Sequence, residues 1–409
     1  ILPNNWIRYL WTFSMLALGT FGVYFNLKET KLNKFKAMVG SLFYLLNFGS
    51  IQIFWPPFEA FTTFWGFFPW LIFWFIKLLK KPNKKNWVWF VVVNILAIPS
   101  FYIQTLFVVY GLSLGVVSLF HLDKRKTIFK SGLLIFLINS FWLLPFGYFL
   151  ITNAHHPQQA VINVMSSEET FMRNQYRGEI KDFLLLRGYY YDFHDAGQPL
   201  MEVWNNHLSR NWVLAVGYLL SFVCLAGLFS APGWLIGLFG LSALALLSAT
   251  VPFSWLNELL RSNRFLDQVF RSPFTKFIVP TSLSFSILFG YGIKTIEKLF
   301  KKVKINISRF ILPAIFSLLI LLYSFPVFQG NFIYPRMRVD IPDSYFQLID
   351  YFKNQPKTAR IANLPQGDLW GWTHYRWGLR GSGFLWYGIE QPIMDRAFDV
   401  WNLNNETYY

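Results

Sequence analysis

The stretch "RSNRFLDQVFRSPFTKF", residues 261–277, sets Arg261, Arg264, Arg271 and Lys276 against Asp267, with Glu258 just upstream. Arginine's planar fork makes bidentate, charge-assisted bonds to phosphate oxygens, and lysine adds a compact point charge. Pro273 opens an apolar run, and a helix starting there adds unpaired N–H groups and the positive end of the helix dipole. Two chemistries fit this pattern. One is capture of an anion such as a phosphate; the other is snorkelling of basic side chains to lipid headgroups.

Three further sets of residues could do chemistry. Glu59 is the one acid in the short link "WPPFEAF". A carboxylate buried there would suit proton abstraction from a hydroxyl nucleophile, and a solvated one would simply lie at headgroup level. The phrase "RGYYYDFHDAGQPLMEVW" carries Asp192, His194, Asp195 and Glu202. Acids near a histidine fit metal binding or acid–base work, yet the spacing matches no metal signature, and an ordinary folded loop looks the same. Finally, Trp370, Trp372, Tyr375, Trp377, Trp386 and Tyr387 offer faces for sugar rings, and equally a domain core or an interfacial belt.

The elements that must position these groups are apolar. Of 409 residues, 54% are hydrophobic, 21% aromatic and 14% charged, well below the roughly 25% charge of a soluble domain. Runs of the length needed to cross a bilayer recur. We expect an all-α polytopic membrane protein with ten spans, near 6–26, 37–55, 59–79, 86–101, 103–120, 128–150, 211–230, 233–250, 273–295 and 309–328. Pro99 shortens the fourth. Lysines cluster in "KETKLNKFK", "KLLKKPNKK", "HLDKRKTIFK" and "KTIEKLFKKVK". With ten spans all four loops fall on one side, which the positive-inside rule makes cytoplasmic. The net charge of +16 is therefore a topology signal and implies no nucleic-acid partner. The apolar runs hold almost no ionisable groups, which argues against an ion-driven transporter. Cys224 is the one cysteine, so no intrachain disulfide forms.

The expected domains are a membrane domain over 1–328, with a long extracytoplasmic loop at 152–210, and the start of an extracytoplasmic mixed α/β domain over 329–409. In the latter, "IPDSYFQLIDYFKNQ" has helical spacing with Asp343 as N-cap, and "ARIANLP" reads as a strand. The opening on Ile1 and the ending "NLNNETYY" read as a segment of a longer chain.

The phrases "SLFYLLNFGSIQIFW", "WGFFPWLIFWF", "LINSFWLLPFGYFL", "FRSPFTKF" and "IPDSYFQLIDYF…RIANLP" follow one another in order. Together they resemble the membrane glycosyltransferases of the GT-C superfamily, closest to the arabinofuranosyltransferase-D-like and related multi-span bacterial proteins with an extracytoplasmic C-terminal domain. The resemblance implies transfer of a sugar from a polyprenyl-phosphate donor to a glycan or lipid-linked acceptor outside the cytoplasmic membrane. It implies a donor-phosphate role for Arg271 and Lys276, with Arg264 beside them, and a structural role for Asn139, Trp142 and Pro145. It places the main catalytic acid in a first outward loop near the chain start, which this sequence lacks, and leaves Glu59 as the carboxylate to consider here. Trp372, Trp386 and Asp195 are the acceptor-contact candidates. A divalent metal is compatible with the chemistry, and no ligand set for one is legible. A lipid-linked glycan flippase or polymerase, and a membrane anchor for a surface domain, are the competing readings.

Overall fold

The computed structural model describes residues 4–153, 155–195, 197–263, 266–304, 310–337, 339–364, 373–381 and 384–394. It is mostly helical, 77%. In chain order the helices are α1 (Asn4–Glu29), α2 (Lys34–Leu46), α3 (Phe48–Phe54), α4 (Glu59–Lys80), α5 (Lys84–Leu96), α6 (Gln104–Leu119) and α7 (Arg125–Asn153). After them come α8 (His155–Gln159), α9 (Val161–Tyr176), α10 (Ile180–Leu184), α11 (Glu202–Leu208), α12 (Asn211–Gly227) and α13 (Gly233–Leu246). The chain continues through α14 (Phe253–Arg261), α15 (Asp267–Phe270), α16 (Pro273–Lys302), α17 (Ile311–Tyr323) and α18 (Asp343–Lys353). The strands are two-residue pairs.

Among the described residues, 5 helical stretches are long and apolar enough to cross a membrane: Trp6–Glu29, Glu59–Lys80, Leu122–Asn153, Asn211–Ser230 and Pro273–Lys302. A sixth is obtained if α2 and α3, bent by 47°, count as one span. The other four expected spans are shorter helices. α5 has 13 residues, α6 has 16, α13 has 14 and α17 has 13, about 20–24 Å of rise against a hydrocarbon core of about 30 Å. α5 stops at Leu96 because Pro99 lies just beyond it, within a short 3-10 turn at Ile98–Tyr102.

The chain divides into two compact units, Ile1–Leu143 with Thr170–Ile333, and Leu144–Glu169 with Tyr334–Tyr409. The piece 144–169 thus groups with the C-terminal residues rather than with the rest of the expected loop.

In the first unit α16 is the central post. α2, α12 and α13 pack on it, and α1 pairs with α4. α12 and α16 cross at glycines: a Cβ on Gly292 would fall 1.8 Å from the Val223 carbonyl oxygen, and one on Gly227 would fall 2.1 Å from that of Leu288. Small residues permit this close backbone approach, the usual basis of helix pairing in lipid. Asn47 makes the α2–α3 bend. It ends α2 in an extended conformation while its side chain accepts the Ser50 N–H at 2.9 Å to cap α3.

Ion pairs bring the lysine clusters to one end of this unit. Lys36 of α2 pairs with Glu297 of α16, and Lys77 and Lys80 of α4 hold Glu29 of α1 at 2.6 and 3.2 Å. The α12–α13 turn joins them through Ser230 Oγ and Thr295 Oγ1, 2.8 Å apart, and the Phe120 ring that precedes the third cluster, "HLDKRKTIFK", lies against Gly233. The segment 177–210 packs at the opposite end, where Gln52 donates to the Leu186 carbonyl at 2.8 Å and accepts the Gly188 N–H at 2.9 Å.

In the second unit the described C-terminal residues form α18 and two strand pairs, Ile361–Ala362 parallel to Ile393–Met394 and Thr373–His374 antiparallel to Arg380–Gly381. Asp343 is the first helical residue rather than the cap; Pro342 takes the N-cap position. Tyr345, Tyr375, Trp377 and Phe384 make a ring cluster with centroids 5.2–6.1 Å apart.

Candidate functional site at the start of α16

The first turn of α16 is built by a residue from α9. Ser272 offers its helix no side-chain cap, and Pro273 at the first helical position has no N–H to satisfy. Asn174 does the capping from across the fold. Its Oδ1 accepts the Phe274 N–H at 3.2 Å, and its Nδ2 donates to the Thr170 carbonyl at 2.7 Å and to Ser272 Oγ at 3.4 Å.

Lys276 lies one turn into this helix. It is only 6% exposed, and its Nζ donates to the Ser272 carbonyl at 3.1 Å. Among the described residues no carboxylate pairs with it. A buried ammonium without a counter-ion is costly, so a bound anion would stabilise the charged form of this side chain. Arg271 precedes the helix and is close enough to Lys276 for like-charge repulsion. Burial pushes the Arg271 guanidinium below its ordinary value, and Asp267 and Tyr189 oppose that shift.

The segment 173–192 supplies the rest of the wall. Arg173 stacks over the Phe193 ring at 4.4 Å. Tyr189 is partly buried, and desolvation raises its hydroxyl well above the usual range, against the pull of Arg173 and Arg271. Arg177 bridges Asp182 at 3.2 Å and Asp192 at 2.5 Å. Arg187 lies over the Tyr191 ring at 4.6 Å and donates to the Leu208 carbonyl at 3.1 Å. Asp182 is fully buried; burial raises its carboxyl, Arg177 lowers it, and the net direction is up. Among the described residues, Asp182 Oδ2 and Arg187 Nε have no hydrogen-bond partner. They line, with Asn174, Gly188, Ser248 and Phe274, a cavity of about 10 Å³, the room one water needs.

Gly188 locks this segment onto α16. A Cβ there would lie 2.3 Å from the Phe274 ring, so only a glycine lets the two meet. Arginine and lysine thus outnumber the carboxylates around a helix start, an arrangement able to bind a phosphate by charge and fork geometry. No protein family, curated protein or solved structure matches the chain.

The structure brings Arg271 and Lys276 together, as their sequence spacing suggests. Arg264 and Trp372 lie outside the described residues, as does the side chain of Asp195, whose backbone pairs with Gln198. Glu59 belongs to a different cluster. It forms an ion pair with Arg8 at 2.7 Å, and among the described residues no hydrogen bond or ion pair joins it to Arg271 or Lys276. Trp386 and its neighbour Tyr387 are exposed, 48% and 95%. Asn139 is buried and accepts the Trp142 indole N–H at 3.0 Å, inside the continuous helix α7. Among the described residues no group of three or more His, Cys, Asp or Glu side chains is placed to hold a metal. Arg173, Asn174, Arg177, Asp182, Arg187 and Tyr189 are the site residues that sequence reading overlooked. The signal available was the arginine spacing in "RNQYRGEIKDFLLLRGYYYDF", which lies about a hundred residues before "FRSPFTKF".

Proposed function

We propose that the protein is an integral membrane glycosyltransferase of GT-C type, moving a sugar from a polyprenyl-phosphate donor to a cell-envelope glycan or lipid-linked acceptor. The observation that carries this reading is Lys276: an ammonium buried at a helix start, held by a backbone carbonyl and neighboured by Arg271. An anion bound there would supply the counter-charge that Lys276 lacks among the described residues.

In the proposed reaction the acceptor oxygen attacks the anomeric carbon of the donor. The new glycosidic C–O bond forms as the bond from that carbon to the phosphate oxygen breaks, and the acceptor's proton passes to a carboxylate base. The departing polyprenyl phosphate gains one negative charge, which Arg271 and Lys276 stabilise. Glu59 is paired with Arg8 in a separate groove and is assigned no proton transfer.

The same reading places the shared lysine end in the cytoplasm and the start of α16 at the outer face, with the shorter apolar helices completing ten membrane segments. The residues beyond 329 then begin an extracytoplasmic domain in which Trp386 contacts glycan. Donor-dependent sugar transfer in membranes carrying the protein tests the reading, comparing Arg271→Ala, Arg271→Lys and the exposed control Arg210→Ala. Arg271→Ala should lose most activity and Arg271→Lys should recover only part, because a point charge cannot reproduce the planar fork. Transfer by Arg271→Ala equal to the control would place the phosphate elsewhere, and glycan translocation without transfer would make the protein a flippase.

A further inference from the structure

Away from the start of α16, a groove of about 400 Å³ opens between α1, α4 and the turn holding Pro99, lined by Ile7, Arg8, Trp11, Glu59, Thr63 and Pro99. Its wall is built. The Trp11 indole donates to Thr63 Oγ1 at 3.0 Å, and that hydroxyl donates to the Glu59 carbonyl at 2.6 Å. The ring is thereby held in place against α4.

Two opposite charges stand in this groove with capacity to spare. Arg8 Nε meets Glu59 Oε1 at 2.7 Å, and Arg8 Nη2 donates to the Pro57 carbonyl at 3.3 Å. Among the described residues, Arg8 Nη1 and Glu59 Oε2 have no partner. The side chains are 51% and 57% exposed. A half-exposed ion pair is weak and easily widened.

The ligand must therefore carry an anion and a hydrogen-bond-donating cation a few bonds apart. It must also carry an apolar body. Ile7 lines the groove and belongs to an exposed apolar surface of α1 that includes Trp6, Leu10 and Phe13. α1 is itself long and apolar enough to span a bilayer, and Arg8 lies near the start of that stretch, which would set it at headgroup depth in a membrane.

We propose that this groove is a binding site for a phosphatidylethanolamine-type lipid. The phosphate takes Arg8, the primary ammonium donates to Glu59, and the acyl chains run along the apolar surface of α1. A choline headgroup has no N–H for Glu59, and a glycerol headgroup has no cation, so both should bind less well. The inference does not depend on the transferase reading.

The test is native mass spectrometry of the detergent-solubilised protein titrated separately with dioleoyl phosphatidylethanolamine, phosphatidylcholine and phosphatidylglycerol. Wild type should retain one ethanolamine lipid at least tenfold more tightly than either other lipid. Glu59→Gln should erase the preference over choline, and Arg8→Gln should weaken retention of all three. Arg210→Gln should change nothing, and Arg8→Lys, which keeps the charge, guards against loss through misfolding. Equal retention of the three lipids by wild type, a preference for phosphatidylglycerol, or an ethanolamine preference that survives Glu59→Gln in folded protein would each overturn the proposal.

Discussion

Tyr44 donates its hydroxyl to the backbone carbonyl of Trp65 at 2.9 Å while stacking on the Trp65 ring, centroids 4.2 Å apart. That carbonyl needs an outside donor because the residue four positions on is Pro69, which has no N–H to continue the helix ladder. Tyr44→Phe should therefore leave a buried acceptor unsatisfied and cost about 1–3 kcal/mol. Thermal unfolding in detergent checks this. In a Pro69→Ala background the same change should cost clearly less, since a main-chain donor is restored; equal costs in both backgrounds would sink the explanation.

Lys276→Met removes a buried charge and keeps the side chain's bulk. The unliganded protein should be as stable or more so, because an isolated ammonium is expensive to bury. Donor affinity should fall instead, by about 1.5–3 kcal/mol for a charge-assisted bond, or roughly tenfold to hundredfold. Unfolding temperature and donor titration, measured on one preparation, separate the two effects. Lost stability with unchanged donor affinity would make Lys276 a structural residue.

His207 of α11 hydrogen-bonds the Tyr323 carbonyl through Nε2 at 3.1 Å, and burial lowers its proton affinity from the ordinary 6.5. The unfolded chain then binds a proton more readily than the folded one. Stability from this residue is intact above about pH 6.5 and is lost as pH falls below that value toward the folded pKa. Unfolding followed from pH 7.5 to pH 5 should show that decline, and His207→Gln should flatten it.

The aromatic residues of the second unit occupy two kinds of surroundings. Trp377 belongs to the ring cluster with Tyr345, Tyr375 and Phe384, whereas Trp386 presents nearly half its surface. Trp377→Ala should destabilise by several kcal/mol, about 3–5 for a large buried ring and less where burial is partial. Trp386→Ala should leave folding intact and weaken acceptor glycan binding. Circular dichroism with a glycan-binding assay on the intact protein distinguishes them; normal glycan affinity in Trp386→Ala would remove that ring from the acceptor site.

The proposed sidedness predicts that Cys introduced at Lys84 labels from the cytoplasmic side and Cys introduced at Asp340 from the other, with membrane-impermeant maleimide. Labelling of both from one side would refute the ten-segment arrangement.

The helical, apolar character, with helices long enough to cross a membrane, was legible in the sequence because it depends on composition and run length. The long helices α1, α4, α7, α12 and α16 are continuous apolar stretches whose backbone groups satisfy one another locally. The nearness of Arg271 and Lys276 was legible because Pro273 marks a helix start between them, and five residues across a helical turn span little distance. What surrounds them was decided by tertiary packing. Asn174 caps α16 from 100 residues away by accepting the Phe274 N–H, and Gly188 meets Phe274 because no Cβ intervenes. Helix ends were partly local and partly tertiary. An apolar run ends as a helix where a proline, a capping asparagine or a neighbouring backbone ends it, as at Asn47 and Pro99. Glu59 shows the limit most plainly: its sequence neighbours are prolines and aromatics, and its partner, Arg8, is brought to it only by the packing of α1 on α4. Local periodicity carries no information about such long-range pairs, because their energy exists only once the helices have met.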